Sequence, residues 1–168
     1  MNRLRQLFAV MARYGIFVAL GIEFVLFSFL SPHFLDGGNQ LNVLHQNAPA
    51  LVLAVGMTLV ILTAGIDLSV GSVLALTAVT AAQVAVVDWG PVGLRIPVAL
   101  ATACVLGAAC GGINGFVITG LRIPPFVATL AMMLIAKGTV MIATKARTIS
   151  GLPDEFGEIG AGSYPNAW

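Results

Sequence analysis

Residues 54–75 read AVGMTLVILTAGIDLSVGSVLA, and within them two long apolar runs meet at a short polar break. The break extends from Ala64 to Ser69 and contains the carboxylate of Asp67. About 20 apolar residues make a helix long enough to cross a bilayer. An ionisable group between two such runs is energetically unfavourable in hydrocarbon, so Asp67 requires either a structural partner or a function.

The composition of the chain indicates a membrane protein. Hydrophobic residues make up 58% of the 168 residues, charged residues make up only 9%, and the mean hydropathy is +0.98. A soluble domain carries about 25% charged residues, so this chain cannot cover itself with a water-compatible surface. The sequence therefore predicts an all-α, polytopic bundle of transmembrane helices surrounded by lipid. A net charge of +1 gives no support for nucleic-acid binding.

The hydropathy pattern predicts about five transmembrane helices within a membrane region at 14–143. Their approximate bounds are 14–31, 48–64, 69–87, 97–118 and 126–143. Residues 1–13 hold three arginines and no acidic residue, which predicts a cytoplasmic N-terminus. Residues 32–46 are polar and are expected to form an outer loop. Residues 144–168 have no apolar run of spanning length, so we expect an extracytoplasmic tail.

Two interpretations of Asp67 are compatible with each other. Gly65 can adopt a positive φ and end one helix, which places Asp67 as the N-cap of the next, with the amides of Ser69 or Val70 as donors. The second interpretation is a direct role in transport, with Ser69 and Asn114 as further substrate-pathway candidates. Five crossings place the break on the cytoplasmic side, and a broken helix nearer the bilayer midplane is the alternative.

Glycines at a spacing of four predict close helix packing in the fourth span. Gly107, Gly111 and Gly115 lie on one helix face, which Ala99 and Ala103 extend. Pro124 and Pro125 follow this span and prevent the helix from continuing.

Other residues inside the predicted spans suggest ion pairing rather than catalysis. Glu23 and Lys137 are an intramembrane acid and base, and we hypothesise that they form an ion pair. Cys104 and Cys110 are six residues apart on a helix, a spacing that disfavours a disulfide or a shared metal site. The sequence contains no HExxH, GxSxG or Walker lysine motif, so an enzyme is disfavoured and no metal site or cofactor is expected.

Two blocks of sequence resemble a known family of transporters. Residues 55–72, VGMTLVILTAGIDLSVGS, closely resemble the signature of bacterial ABC-importer permeases that serve ribose, xylose, galactose and related monosaccharides. The second block comprises GGING at 111–115 and LRIPPFVATL at 121–130. The structural signature residues are Gly65, Asp67, Gly71, Gly111, Gly115, Pro124 and Pro125 within these blocks, together with Gly107 of the glycine ladder.

The resemblance implies a subunit of a larger complex in the bacterial inner membrane. Its expected partners are a second permease chain, two cytoplasmic ATP-binding cassette subunits, and a periplasmic or lipid-anchored sugar-binding protein. ATP hydrolysis is expected in the separate ATP-binding subunits.

Permeases of this kind are about twice as long as this chain, so it is expected to correspond to an N-terminal half. The alternative is a truncated, non-transporting remnant or an accessory membrane subunit that only packs against other helices.

Single cysteines in the predicted loops test this topology. In a chain without Cys104 and Cys110, the variants Gly38→Cys and Gly157→Cys should react with a membrane-impermeant thiol reagent added to intact cells. Gly120→Cys should not react, because five crossings place that turn in the cytoplasm. Labelling of Gly120→Cys from outside would contradict the predicted orientation.

Overall fold

The structure is a computed structural model that describes residues 2–161, and in that range it contains six α-helices and no strands. They are α1 (Asn2–Leu30), α2 (Gly37–Leu62), α3 (Val70–Val86), α4 (Val92–Thr119), α5 (Pro125–Thr144) and α6 (Asp154–Ala161). The predicted all-α fold is therefore confirmed. The described chain divides into two compact units, one up to Pro49 and one from Ala50 onward.

Four of the helices in residues 2–161 are long and apolar enough to cross a membrane, namely α1, α2, α4 and α5. Helix α3 is equally apolar but has only 17 residues. At a rise of 1.5 Å per residue such a helix is about 25 Å long, at the lower limit for a span. A fifth crossing through α3 therefore stays a prediction.

Two segments that lie outside the predicted spans are helical. Helix α2 begins at Gly37 rather than near residue 48, because its polar side chains bond within the helix instead of requiring a loop. The Asn47 Nδ2 donates to the carbonyl of Val43 at 2.8 Å, and the Gln46 Nε2 donates to Asn42 Oδ1 at 3.2 Å. The second segment is the tail, which contains α6.

Aromatic side chains pack together within the first unit. The rings of Phe24 and Phe34 meet edge to face with centroids 5.2 Å apart, and Phe27 stacks on Phe34 at 5.8 Å. This contact lies where α1 ends and the chain turns toward α2.

Small side chains form the core of the second unit. Ala81 and Ala85 of α3 and Ala99 of α4 are fully or almost fully buried, and Phe156 of α6 packs against them. Small residues let helix backbones approach closely, which replaces the hydrophobic driving force that is absent between helices in lipid. Large apolar side chains of α4 and α5, such as Phe116 and Ile142, are exposed instead. The helices therefore pack against one another through alanine side chains, and their bulky apolar side chains are exposed on the outside of the unit.

The glycine ladder of α4 contacts α3 at one of its three positions. A Cβ added at Gly107 would lie 3.5 Å from the Thr77 Cγ2, which is ordinary van der Waals contact. A Cβ added at Gly111 or Gly115 would meet nothing within 4 Å among the described residues. The face at Gly111 and Gly115 is therefore not packed against a neighbouring helix in the described chain.

A tight turn joins α4 to α5. The amide of Gly120 donates to the carbonyl of Phe116 at 2.7 Å, and Pro125 occupies the first position of α5 after Pro124. Proline fits this position because the first residue of a helix uses no N–H in a helical hydrogen bond. The φ that the proline ring fixes is also helical. A Cβ at Gly120 would lie only 2.8 Å from the Phe116 carbonyl oxygen, so this position requires glycine.

Replacing Gly120 by alanine should destabilise the chain. The added Cβ would push the Phe116 carbonyl aside, at an expected loss of about 1–3 kcal/mol in the free energy of unfolding. The measurement is thermal unfolding in detergent followed by circular dichroism. Gly115→Ala is the matched control, because its Cβ meets no described atom within 4 Å. Equal stability of the two variants would contradict the steric argument.

Candidate functional site

The break between α2 and α3 begins with a capped helix end. The amide of Gly65 donates to the carbonyl of Val60 at 3.0 Å, and the amide of Ala64 donates to that of Ile61 at 2.9 Å. This pair of bonds is a Schellman motif. The left-handed residue is Ala64, with φ of 55°, and not Gly65 as the sequence suggested. Gly65 is favoured by limited space instead, because its Cβ would lie 3.2 Å from the Val60 carbonyl oxygen, a tight contact.

Asp67 organises the start of α3 without being its N-cap. The N-cap is Ser69, and α3 begins at Val70, so the prediction of Asp67 as the N-cap was wrong by two residues. Its Oδ1 accepts from the amide of Ser69 at 2.7 Å and from the Ser69 hydroxyl at 2.6 Å. The expected bond to the Ser69 amide is thus present. It forms an Asx turn, in which an aspartate bonds the backbone two residues on.

The Ser69 hydroxyl links the break to α4. Asn114 Nδ2 donates to the Ser69 Oγ at 3.1 Å, and this oxygen in turn donates to Asp67. Ser69 is 1% exposed and Asn114 is 8% exposed. A hydroxyl both donates and accepts, so one buried serine satisfies a carboxylate on one side and an amide on the other. The structure therefore brings the three substrate-pathway candidates into one hydrogen-bonded chain.

Thr129 of α5 holds the break from the other side, and the sequence analysis did not single it out. Its Oγ1 accepts from the amide of Leu68 at 3.2 Å and lies 3.1 Å from the carbonyl oxygen of Ile66 and 2.8 Å from that of Pro125. The side chain is 2% exposed. A threonine one turn into a helix usually bonds back to its own backbone, so no local signal distinguishes this one.

A cavity of about 390 Å³ opens beside this hydrogen-bonded chain. Apolar side chains of α2, α3 and α4 form most of its wall, among them Leu53, Val73 and Leu74. Its polar lining residues are Asp67, Ser69, Thr77, Cys104 and Asn114. None of its lining residues is Lys, Arg or His. An apolar cleft with a few convergent polar groups is the usual form of a small-molecule site.

Comparison with known proteins identifies the family. Residues 39–164 match the family described as the permease component of the branched-chain amino acid transport system. The chain belongs to this family of transport permeases. With four helices in residues 2–161 that can span a membrane, it is a multi-pass protein of the bacterial inner membrane.

Three of the similar curated proteins are named as permeases for ribose, galactofuranose and autoinducer 2. The chain is 43% identical over 135 residues to the ribose import permease protein of Escherichia coli (strain K12), covering 79% of this chain and 40% of that protein. It is 36% identical over 154 residues to the galactofuranose transporter permease protein of the same strain, covering 87% and 44%. It is also 36% identical over 155 residues to the autoinducer 2 import system permease protein of Enterobacter sp. (strain 638), covering 92% and 41%.

These alignments cover only part of each relative. The chain spans less than half the length of the curated relatives that it matches. No solved structure matches the chain.

The remaining candidate residues are not brought into this site. Glu23 lies on α1 in the first unit and Lys137 on α5 in the second, and both are exposed, so their pairing stays a prediction. Gly71 follows the break on α3 and is also exposed. Cys104 and Cys110 are both free thiols. In the part of the chain that is described, no group of three or more His, Cys, Asp or Glu could hold a metal ion.

Replacing Thr129 by valine should destabilise the break. Valine keeps the shape but removes the hydroxyl, so the amide of Leu68 loses its acceptor, at a loss of about 1 kcal/mol. Thr129→Ser keeps the hydroxyl and should retain most of this stability. Thermal unfolding in detergent measures both variants, and equal losses would show that the hydroxyl is not what holds the break.

Proposed function

We propose that this chain supplies part of the translocation pathway of an ATP-driven importer for a monosaccharide. The observation that carries the proposal is the hydrogen-bonded chain of Asp67, Ser69 and Asn114 along a cavity, in a protein whose relatives are named as import permeases.

The dimensions and lining of the cavity suit a sugar. Its volume of about 390 Å³ lies within the range of roughly 300–1,000 Å³ that is usual for small-molecule sites. A monosaccharide has hydroxyl groups along its ring edge and C–H groups on its faces. The polar groups that line the cavity can bond the hydroxyls, while Leu53, Val73 and Leu74 can contact the apolar faces.

The remaining functions of an importer belong to partner subunits under this proposal. Cytoplasmic ATP-binding cassette subunits hydrolyse ATP, and a periplasmic or lipid-anchored sugar-binding protein delivers the substrate. A second permease chain completes the pathway across the membrane. Family membership supports this division of labour, because the family is one of transport permease components and not of enzymes.

A chimera with a characterised relative tests the proposal. The 135 aligned residues of this chain would replace the corresponding segment of the Escherichia coli ribose import permease, in cells that lack their own copy. We expect energy-dependent uptake of labelled ribose or of another aldose in a panel. A chimera that inserts into the membrane but takes up none of these sugars would refute the proposal.

A pair of serine variants tests the site within the same chimera. Ser69→Ala should lower uptake about tenfold, the effect of losing about 1.4 kcal/mol of hydrogen bonding at the site. Ser72→Ala is the control, because Ser72 lies in the first turn of α3, next to its N-cap Ser69, and does not line the cavity. Equal uptake by the two variants would show that the hydrogen bonds of Ser69 do not contribute to transport.

A further inference from the structure

Two residues that line the cavity each have an oxygen atom without a hydrogen-bond partner in the described part of the chain, and both oxygens are acceptors. Asp67 accepts both of its hydrogen bonds through Oδ1, and Oδ2 has no partner among residues 13–159. Asn114 donates through Nδ2, and its Oδ1 is likewise without a partner in that range. Both residues line the cavity, and Asn114 is more than nine-tenths buried.

The chemistry of Ser69 fixes which atom of the Asn114 amide stays free. The Ser69 hydroxyl has a single proton, and it donates this proton to Asp67 Oδ1. It can therefore only accept from Asn114, which directs Nδ2 toward Ser69 and leaves the carbonyl oxygen Oδ1 unused. Two oxygens that can only accept thus flank one serine hydroxyl.

The only formal charge in the lining of the cavity is negative. Asp67 is its only charged lining residue, and the Thr77 hydroxyl already donates to the carbonyl of Leu74 at 2.9 Å. The first turn of α3 would ordinarily attract an anion, because helix N-termini carry a partial positive charge. Here the carboxylate of Asp67 already takes the amide of Ser69, so the protein's own anion occupies that position.

We propose that Asp67 and Asn114 form an acceptor-only selectivity element, which bonds the hydroxyl protons of a neutral sugar and excludes anionic sugars. This inference rests on the proposed function, since it concerns the substrate of the same cavity. A carboxylate or phosphate on a sugar would meet the Asp67 charge without a compensating cation. A resident metal ion is a poor fit, because two free oxygens fall well short of the roughly six to eight ligands that hard cations take.

Thiol reagents of opposite charge measure the field in the cavity directly, with Cys104 as the native reporter. Cys104 lines the cavity and is exposed, and Cys110→Ala leaves it as the only thiol. The protein is placed in nanodiscs of uncharged phosphatidylcholine. Its rates of reaction are measured with cationic trimethylammonioethyl methanethiosulfonate and with anionic sulfonatoethyl methanethiosulfonate. Each rate is divided by that of free cysteine.

The expected ratio of cationic to anionic rates is several-fold at low ionic strength, because Cys104 lies ten residues, about 15 Å along α4, from Asn114 and the Asp67 charge acts over that longer range. Asp67→Asn keeps one oxygen for the amide and hydroxyl of Ser69 but removes the charge, so it should bring the ratio close to one. The rate with the neutral reagent methyl methanethiosulfonate reports any change in the access or the intrinsic reactivity of Cys104, and such a change cancels in the ratio of cationic to anionic rates. A ratio near one in the parent, or a ratio that Asp67→Asn leaves unchanged, would overturn the inference.

A second pair of variants decides the question if Asp67→Asn alters the rate with the neutral reagent. Asp67→Glu and Asp67→Gln are matched in size and differ only in charge, so only the first should keep the raised ratio. Equal ratios in this pair would also overturn the inference. Failure of the chimera to take up any sugar would leave the measured ratio intact and would refute the proposed function alone.

Discussion

The hydroxyl of Ser69 is the contact on which the rest of the site depends. It is almost completely buried, it donates to Asp67 at 2.6 Å, and it accepts from Asn114 at 3.1 Å. In hydrocarbon no bulk water can replace a missing partner, so every buried polar group must be satisfied internally. Because one oxygen fills both roles, a carboxylate and an amide are held beside an apolar cavity without a counter-ion. Asp67 Oδ2 and Asn114 Oδ1 remain able to accept hydrogen bonds from a molecule in the cavity.

This contact is available because small residues line the helices that carry it. Ala81 and Ala99 are buried where α3 and α4 meet, and Gly107 approaches Thr77 without a Cβ between them. Bulkier residues there would separate the helices and lengthen the bond between Asn114 and the start of α3. Further along α4, no described atom lies within 4 Å of a Cβ built at Gly111, and this residue lines the cavity instead. Two glycines four residues apart on α4 therefore have different roles. Gly107 allows close packing against α3, and Gly111 leaves open space in the cavity.

The sequence predicted the components of this site more accurately than their geometry. An aspartate between apolar runs is conspicuous, and the helix pattern placed α3, α4 and α5 within a few residues of their bounds. The identity of the N-cap could not be predicted, because Asp67 and Ser69 have nearly equal capping propensity and only tertiary contacts distinguish them. The helical start of α2 was missed since polar composition alone resembles a loop. Thr129 was missed because its partners lie more than 60 residues away in sequence.

The two hydroxyls that hold the break also constrain how the cavity can open. Ser69 ties the break to α4 through Asn114, and Thr129 ties it to α5 through the backbone at Ile66 and Leu68. Separating the break from either helix would leave buried polar groups unpaired, at about 1–3 kcal/mol for each group. A movement of α3, α4 and α5 as one body breaks none of these bonds and avoids that penalty. The hydrogen-bonded break therefore favours access to the cavity through displacement of helices around this three-helix body, rather than through unwinding at Asp67.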